Sequence, residues 1–245
     1  MSDLSYDVTG SGPVLLIVPG GAGHPMGLGP CTDHLAAHFT VVTYDPLGLA
    51  HGRRADAVAD QRVPDWSDGA HRLLDEVLPE GESAYVLGTS SGGIAALDLL
   101  ARHPARLRHV IAHEPPCVTL LPDGERLRAE LIGQLDGGRR DSGEVSPFAV
   151  FLDHVLGPFT AYRPQEGLPR LTVAAGTESR EQLLHRTAKT VAAHTGGAFA
   201  EFPGGHLGIA EHPAAFADRV RQTLLACRGT GLSAKRGSPT GAGPS

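Results

Sequence analysis

Residues 82–93 read ESAYVLGTSSGG, where an apolar run breaks into a Gly-x-Ser-x-Gly pattern formed by Gly88, Ser90 and Gly92. The apolar run predicts a strand, and residues 94–101 predict a helix with one apolar face. A strand-to-helix turn this sharp strains the serine backbone and leaves little room for side chains two positions away. With 32 glycines in the chain, the pentapeptide alone carries little weight. Its setting is what makes Ser90 the candidate nucleophile.

Strand candidates alternate with helix candidates on both sides of this turn. Apolar or β-branched runs predict strands over residues 14–18, 39–44, 84–87, 107–113, 171–175 and 198–202. Helical spacing of apolar residues predicts helices over residues 31–38, 65–77, 94–101, 181–195 and 213–227. This alternation predicts an α/β fold with a doubly wound, mostly parallel sheet, whose chemistry lies at the carboxyl ends of the strands.

Two segments interrupt the alternation. A long insertion carries helical patterns over residues 125–135 and 148–156 with no strand between them. We interpret about 117–168 as a small helical lid inserted between two late strands. Residues 228–245 are rich in Gly, Ser, Pro and Thr, which predicts a disordered tail. The sequence therefore predicts one α/β domain over residues 1–227.

Charge and cysteine content narrow the range of partners. A net charge of -6, without basic clusters, argues against nucleic acid. The N-terminus lacks the pattern of a signal peptide, and the apolar stretches are too short to predict a membrane span. Cys31, Cys117 and Cys227 are odd in number and far apart, so we expect reduced thiols in a cytoplasmic protein. A small-molecule substrate is the expected partner, and the oligomeric state stays open.

A glycine-rich turn, PGGAGH over residues 19–24, follows the strand predicted at 14–18. It lacks the Gly-Lys-Ser/Thr ending of a P-loop and the glycine spacing of a dinucleotide fingerprint. An oxyanion hole takes one N–H from such a loop and a second from the residue after the nucleophile. We therefore assign Gly21 and Ser91 to an oxyanion hole, with plain tight-turn glycines as the structural alternative.

The general base is expected late in the chain, because the acid and then the histidine follow the nucleophile in this architecture. His206 lies in FPGGHLG, residues 202–208, between the last predicted strand and the final helix. Among the thirteen histidines, His185 and His194 belong to a helical face, His103 and His212 precede prolines at helix boundaries, and His71 lies in an amphipathic helix. His113 ends a strand but would break the chain order. We predict His206 as the base.

Five motifs in this order resemble those of the α/β-hydrolase superfamily. They are VPGG at 18–21, YDPLG at 44–48, GTSSGG at 88–93, HEPP at 113–116 and PGGH at 203–206. The similarity extends from Val14 to about Leu225. The resemblance implies an eight-stranded sheet, with its first strand missing or reduced here, and a hydrolytic mechanism that needs no cofactor or metal.

The acid is where the sequence departs from this family. Relatives typically place an aspartate in a Gly-x-x-Asp turn after the strand predicted at 171–175, whereas this chain has GTES at 176–179. Glu178 is the favoured acid, because its longer side chain can offset a shift of one residue. Glu114 is the rival, since some relatives take their acid from the end of the preceding strand. A third interpretation gives Glu178 only a structural role at the start of the next helix.

These residues predict a serine hydrolase of the carboxylesterase type (EC 3.1) acting on an ester, thioester or lactone. Ser90 would attack the acyl carbon, His206 would transfer the proton, and Glu178 would orient the imidazole. Two other hypotheses stay open. One is an acyltransferase or thioesterase of a biosynthetic pathway, and the other is a non-catalytic ligand-binding protein of the same fold.

The apolar side chains of the predicted lid either line an acyl pocket or only pack the lid onto the body of the protein. These side chains are Leu120, Leu121, Leu131, Leu135, Phe148, Val150, Phe151, Val155 and Phe159. His24, Tyr162 and His113 are further polar candidates near the pocket.

Overall fold

The computed structural model describes residues 4–25, 27–137 and 146–226. Its strands are β1 Ser5–Gly10, β2 Val14–Val18, β3 Thr40–Asp45, β4 Ala84–Thr89, β5 Leu107–His113, β6 Leu171–Gly176 and β7 Ala198–Phe202. They form one seven-stranded sheet in the order β1-β3-β2-β4-β5-β6-β7. Only β1 runs antiparallel to its neighbour, and the other pairings are parallel. The predicted doubly wound, mostly parallel sheet is confirmed.

Helices connect the strands and cover both faces of the sheet. Those of the main body are α1 Gly29–Ala36, α2 Val63–Val77, α3 Ser91–Arg102, α7 Leu183–Thr195, α8 Gly208–Glu211 and α9 Pro213–Ala226. Between β5 and β6 lie α4 Gly124–Gly137, α5 Pro147–Val150, a π-helical turn Phe151–Val155 and α6 Leu156–Thr160. The predicted lid thus contains helices and, in its described part, no strand. Its action as a moving cover stays a prediction.

The core follows from the alternation of side chains along the buried strands. Leu16 and Val18 of β2 point to the face covered by α2, α3 and α7, whereas Leu15 and Ile17 point to the face covered by α1 and α9. All four side chains are fully or almost fully buried. Because both faces are covered by helices, the central strands read as unbroken apolar runs.

The register of the parallel strands aligns their carboxyl ends at one edge. Val18 pairs with Gly88, Thr89 pairs with His113, and His113 pairs with Ala174. The loops that follow β2, β4, β5 and β6 therefore leave the sheet side by side. Active sites of open α/β sheets lie at this edge.

At the chain ends, the sequence analysis missed one strand, and its prediction of a tail stays a prediction. The missed strand is β1, in which polar and apolar residues alternate and most residues are exposed. With β1, the described residues give seven strands, one fewer than the resemblance implied. The predicted tail at 228–245 and Cys227 lie outside the described residues. In the described ranges, none of the helices has both the length and the apolar character needed to cross a membrane.

Candidate active site

Ser90 lies at the sharp turn between β4 and α3. Its backbone has φ 51° and ψ -122°, a strained conformation for a residue with a side chain. A Cβ on Gly92 would lie 2.0 Å from the carbonyl oxygen of Val18, and one on Gly88 would lie 2.3 Å from the carbonyl oxygen of Gly92. Both glycines are therefore required sterically, as the sequence predicted. The turn presents the serine hydroxyl at the carboxyl edge of the sheet.

His206 lies in the loop that follows β7, and its side chain contacts Ser90 although the two residues are far apart in sequence. Its Nε2 atom lies 3.2 Å from Ser90 Oγ, within hydrogen-bond distance. The His206 side chain is 33% exposed, so a substrate can reach it. The structure brings together the two residues that the sequence paired across 116 positions.

Glu114, and not Glu178, is the carboxylate beside His206. Glu114 Oε2 lies 2.8 Å from His206 Nδ1, and the Glu114 side chain is fully buried. Like Ser90, it follows directly on a strand and has a positive φ, here 44°. The ring is thus bound on one nitrogen by a carboxylate and on the other by the serine hydroxyl. This is the geometry of a nucleophile, base and acid in series.

The prediction that Glu178 contacts His206 is wrong. A 3₁₀ turn over Thr177–Ser179 directs Glu178 outward, where its side chain is 62% exposed and pairs with His212 at 3.2 Å. The same turn directs Ser179 inward, and Ser179 is 3% exposed. The extra methylene of Glu178 therefore does not offset the shift of one residue, because the turn directs this side chain into solvent and away from His206.

Ser179 and the backbone of Gly176 hold the Glu114 carboxylate. The Ser179 hydroxyl and the Gly176 N–H, at 2.9 Å, both donate to Glu114 Oε1, while His206 contacts Oε2. Burial alone would raise the pKa of Glu114, but these hydrogen bonds from His206, Ser179 and Gly176 outweigh it and lower the pKa. Glu114 is therefore ionised at neutral pH even though water does not reach it.

The glycine-rich turn lies directly against the nucleophile. A Cβ on Gly20 would lie 2.9 Å from Ser90 Cβ, and Gly21 has φ 61°. The Ser91 hydroxyl donates a 2.7 Å hydrogen bond to the Gly21 carbonyl oxygen. This bond joins the two segments that the sequence assigned to an oxyanion hole and fixes the orientation of the peptide that follows Gly21.

A cavity of about 690 Å³ opens beside Ser90 and His206. It is lined by Pro19, Gly20, Gly21, Ala22, His24, Leu28, Thr89, Ser90, Pro116, Leu131, Leu135, Pro147, Phe148, Phe151, Leu156, Leu184, His206, Leu207, Ile209 and Ala210. A volume of this size holds a typical small ligand.

The apolar residues of the predicted lid divide between the two roles that the sequence left open. Leu131, Leu135, Phe148 and Phe151 line the cavity. In contrast, Val150, Val155 and Phe159 are buried in the core. The lid segment therefore both packs onto the body and forms part of the cavity wall.

Of the three additional polar candidates, His24 lines the cavity, whereas Tyr162 and His113 are not among the lining residues. The Tyr162 hydroxyl donates to Asp98 at 3.1 Å. His113 is fully buried, and its ring packs edge-on against Phe216 with 5.1 Å between ring centroids. Burial lowers the pKa of His113, so this imidazole is neutral at neutral pH.

One cluster in the described chain has ligand atoms close enough for a metal ion. The cluster consists of Glu178, Glu211 and His212, whose possible ligand atoms lie within 4.8 Å of one another. All three residues are exposed. Exposed acidic clusters of this kind are common without a metal, and none of the three contacts Ser90, His206 or Glu114 in the hydrogen bonds described above. The expectation of a mechanism without metal or cofactor stays a prediction.

Sequence reasoning favoured Glu178, which pairs with His212 and not with His206, and it also missed the groups that hold Glu114. Glu114 was the second candidate, in the HEPP motif at 113–116. Ser179 occupies the position at which relatives typically carry an aspartate, and this substitution is the signal that the acid lies elsewhere. A serine there leaves space for a carboxylate from the neighbouring strand and donates a hydrogen bond to it.

Comparisons with known proteins identify the family of the fold. A model of the alpha/beta hydrolase fold matches residues 13–146. The chain is 33% identical to the uncharacterized hydrolase YraK of Bacillus subtilis (strain 168), over 91% of this chain and 93% of that protein.

Solved structures share the fold at lower sequence identity. The enol-lactonase from Burkholderia xenovorans LB400 is 17% identical with a TM-score of 0.61, over 91% of this chain and 96% of that one. Est816, an N-acyl homoserine lactone degrading enzyme, is 18% identical with a TM-score of 0.65, over 91% and 98% of the two chains.

Proposed function

Because the chain belongs to the α/β-hydrolase fold family, we propose that it is a serine hydrolase that cleaves an ester, thioester or lactone bond through an acyl-enzyme on Ser90. The observation that carries this proposal is the continuous hydrogen-bonded series from Ser90 through His206 to the buried carboxylate of Glu114. The same series performs acyl transfer on several unrelated folds. A small-molecule substrate agrees with the cavity volume of about 690 Å³.

The proposed reaction begins with attack of Ser90 Oγ on the acyl carbon. His206 Nε2 takes the hydroxyl proton as the new C–O bond forms, and then gives this proton to the leaving group as the bond to that group breaks. Water attacks the acyl-enzyme in the second half, again with His206 as the base. The products are a carboxylic acid and the alcohol or thiol of the substrate, joined in one molecule if the substrate is a lactone.

Glu114 serves in this scheme as the acid that orients His206 and stabilises its protonated form. Its ionised state is favoured by the hydrogen bonds from Ser179 and Gly176. A buried negative charge 2.8 Å from Nδ1 favours the tautomer whose free Nε2 can accept the serine proton. Glu178 has no part in the proposed mechanism.

The amide groups of Gly21 and Ser91 are the proposed donors to the oxyanion. Ser91 directly follows the nucleophile, Gly21 lines the same cavity as Ser90, and the hydrogen bond from the Ser91 hydroxyl to the Gly21 carbonyl supports a fixed loop. Donors that are fixed before the reaction stabilise developing charge without reorganising. Loss of one such donor typically reduces turnover by about 100-fold to 1,000-fold.

Substitution of the nucleophile tests the proposal. Ser90→Ala is expected to reduce hydrolysis of p-nitrophenyl esters to background, a loss on the order of 10⁵-fold or more. Ser11→Ala, at an exposed serine between β1 and β2, is the matched control and retains wild-type turnover. Retention of wild-type hydrolysis by a folded Ser90→Ala protein, checked by circular dichroism, would overturn the proposal. If the acyl group passes to an added alcohol at low concentration in preference to water, the proposed activity is acyl transfer and not hydrolysis.

A further inference from the structure

In the part of the chain that the structure describes, the wall of the cavity beside Ser90 is mostly apolar. Apart from His24, Thr89, Ser90 and His206, each lining residue in the described chain is apolar or glycine, and none is Asp, Glu, Lys or Arg. A carboxylate or ammonium group that enters such a site loses part of its hydration and meets no opposite charge among the Asp, Glu, Lys and Arg side chains of the described residues. The described part of the wall therefore favours an uncharged ligand.

Two large apolar side chains on this wall are also exposed to solvent. Phe148 is 48% exposed and Leu207 is 60% exposed, and both line the cavity. Leu207 is adjacent in sequence to His206, whereas Phe148 belongs to the helical segment between β5 and β6. Covering these surfaces with an apolar ligand removes them from water, at roughly 25 cal/mol per Å². Exposed apolar surface beside a cavity commonly marks a binding site.

We infer that the substrate is an uncharged ester or lactone whose apolar body extends from the carbonyl carbon at Ser90 to Phe148 and Leu207, and that anionic analogues are rejected. This inference rests on the proposed serine hydrolase function. Hydrolysis turns the neutral acyl group into a carboxylate: water supplies the second carboxylate oxygen, one of its protons passes to the leaving group, and the other is released to solvent.

A matched pair of esters tests the inference. p-Nitrophenyl hexanoate and the mono-p-nitrophenyl ester of adipic acid share the leaving group and the acyl length, and differ in the terminal carboxylate. We expect kcat/KM to be at least about 100-fold higher for the neutral ester, since burying an unpaired charge is costly and each tenfold corresponds to about 1.4 kcal/mol. Equal values, or a preference for the adipate ester, would overturn the inference.

Ser90→Ala, measured with both esters, separates the two proposals. Turnover that persists in this variant overturns the serine mechanism itself. Turnover that depends on Ser90 but does not discriminate between the esters overturns only the substrate class. If the wild-type protein hydrolyses neither ester, both proposals are contradicted.

A charge introduced into the wall provides an independent test. Leu184 lines the cavity in the first turn of α7 and is partly exposed, so an arginine can be accommodated there. In Leu184→Arg, the ratio of kcat/KM for the hexanoate ester to kcat/KM for the adipate ester is expected to fall by at least about tenfold, because the guanidinium can pair with the adipate carboxylate. Leu225→Arg, at a 37% exposed leucine of α9 that does not line the cavity, is the matched control and leaves the ratio unchanged. A similar change in both variants would contradict the inference.

Discussion

At the scale of single residues, the candidate site depends on the contact between His206 and a buried carboxylate. Glu114 is buried at 2.8 Å from His206, whereas Glu178 is 62% exposed and pairs with His212. The sequence analysis considered both residues and favoured Glu178. That choice was wrong because it depends on the direction of the turn over Thr177–Ser179, which the local sequence does not reveal.

Substitution of each carboxylate by its amide tests this assignment. Glu114→Gln is expected to lower kcat/KM for a p-nitrophenyl ester by on the order of 10³-fold to 10⁴-fold, since a neutral amide can impose the wrong imidazole tautomer and cannot stabilise the imidazolium. Glu178→Gln removes only an exposed ion pair, which contributes little, and is the matched control. Steady-state kinetics and melting temperatures of both variants give the result. A larger loss in Glu178→Gln than in Glu114→Gln would contradict the structure.

At the scale of secondary-structure elements, the central strands were predictable and the edge strand β1 was not. Strand β7, at the other edge of the sheet, has the predicted bounds although Phe202 is its one buried residue. Strands β2 and β5 also have the predicted bounds, because each is a run of almost entirely buried residues. The edge strand β1, with the sequence SYDVTG, is mostly exposed and offers no such run. The pairing of β1 with β3 depends on contacts with the rest of the sheet, and the local sequence of β1 does not reveal those contacts.

The turn between β4 and α3 allows a prediction about stability. Gly92→Ala is expected to reduce the melting temperature sharply or to prevent folding, because the new Cβ would lie 2.0 Å from the Val18 carbonyl oxygen. Gly133→Ala, in α4, adds a Cβ that meets nothing within 4 Å, and is expected to be neutral or stabilising by up to about 1 kcal/mol. Thermal unfolding followed by circular dichroism compares the two. Equal melting temperatures would show that β2 and α3 do not approach as closely as described.

At the scale of the whole molecule, buried histidines link stability to pH. Burial, with a smaller contribution from Arg170, lowers the pKa of His109 to about 4, and burial also lowers the pKa of His113. Between about pH 6.5 and pH 4 the unfolded chain therefore binds protons at these imidazoles that the folded chain does not. The free energy of unfolding falls as the pH falls through this window, by up to about 3 kcal/mol for His109.

The variant His109→Gln removes one of these titrating groups while keeping a side chain that can hydrogen-bond to Thr172. We expect its melting temperature to fall less steeply than that of the wild type between about pH 7 and pH 4.5. His34→Gln, at an exposed histidine of α1, is the matched control and keeps the wild-type slope. Identical slopes for wild type and His109→Gln would contradict the pKa assigned to His109.

The candidate site depends on contacts between distant parts of the chain. Ser90 and His206 are 116 positions apart, and Glu114 is 92 positions from His206. The sequence could predict the order of these residues, since the family pattern fixes it. Their meeting requires the parallel register that aligns the ends of β4, β5 and β6.

The most direct test of the central claim is covalent labelling of the native protein with a fluorophosphonate, followed by mass spectrometry of its peptides. A fluorophosphonate reacts with a serine whose hydroxyl is activated by a base, which is the role proposed for Ser90 beside His206. We predict a single adduct per chain, located on Ser90, and none on the Ser90→Ala protein. An unlabelled wild-type protein, or an adduct on a residue other than Ser90, would contradict the account.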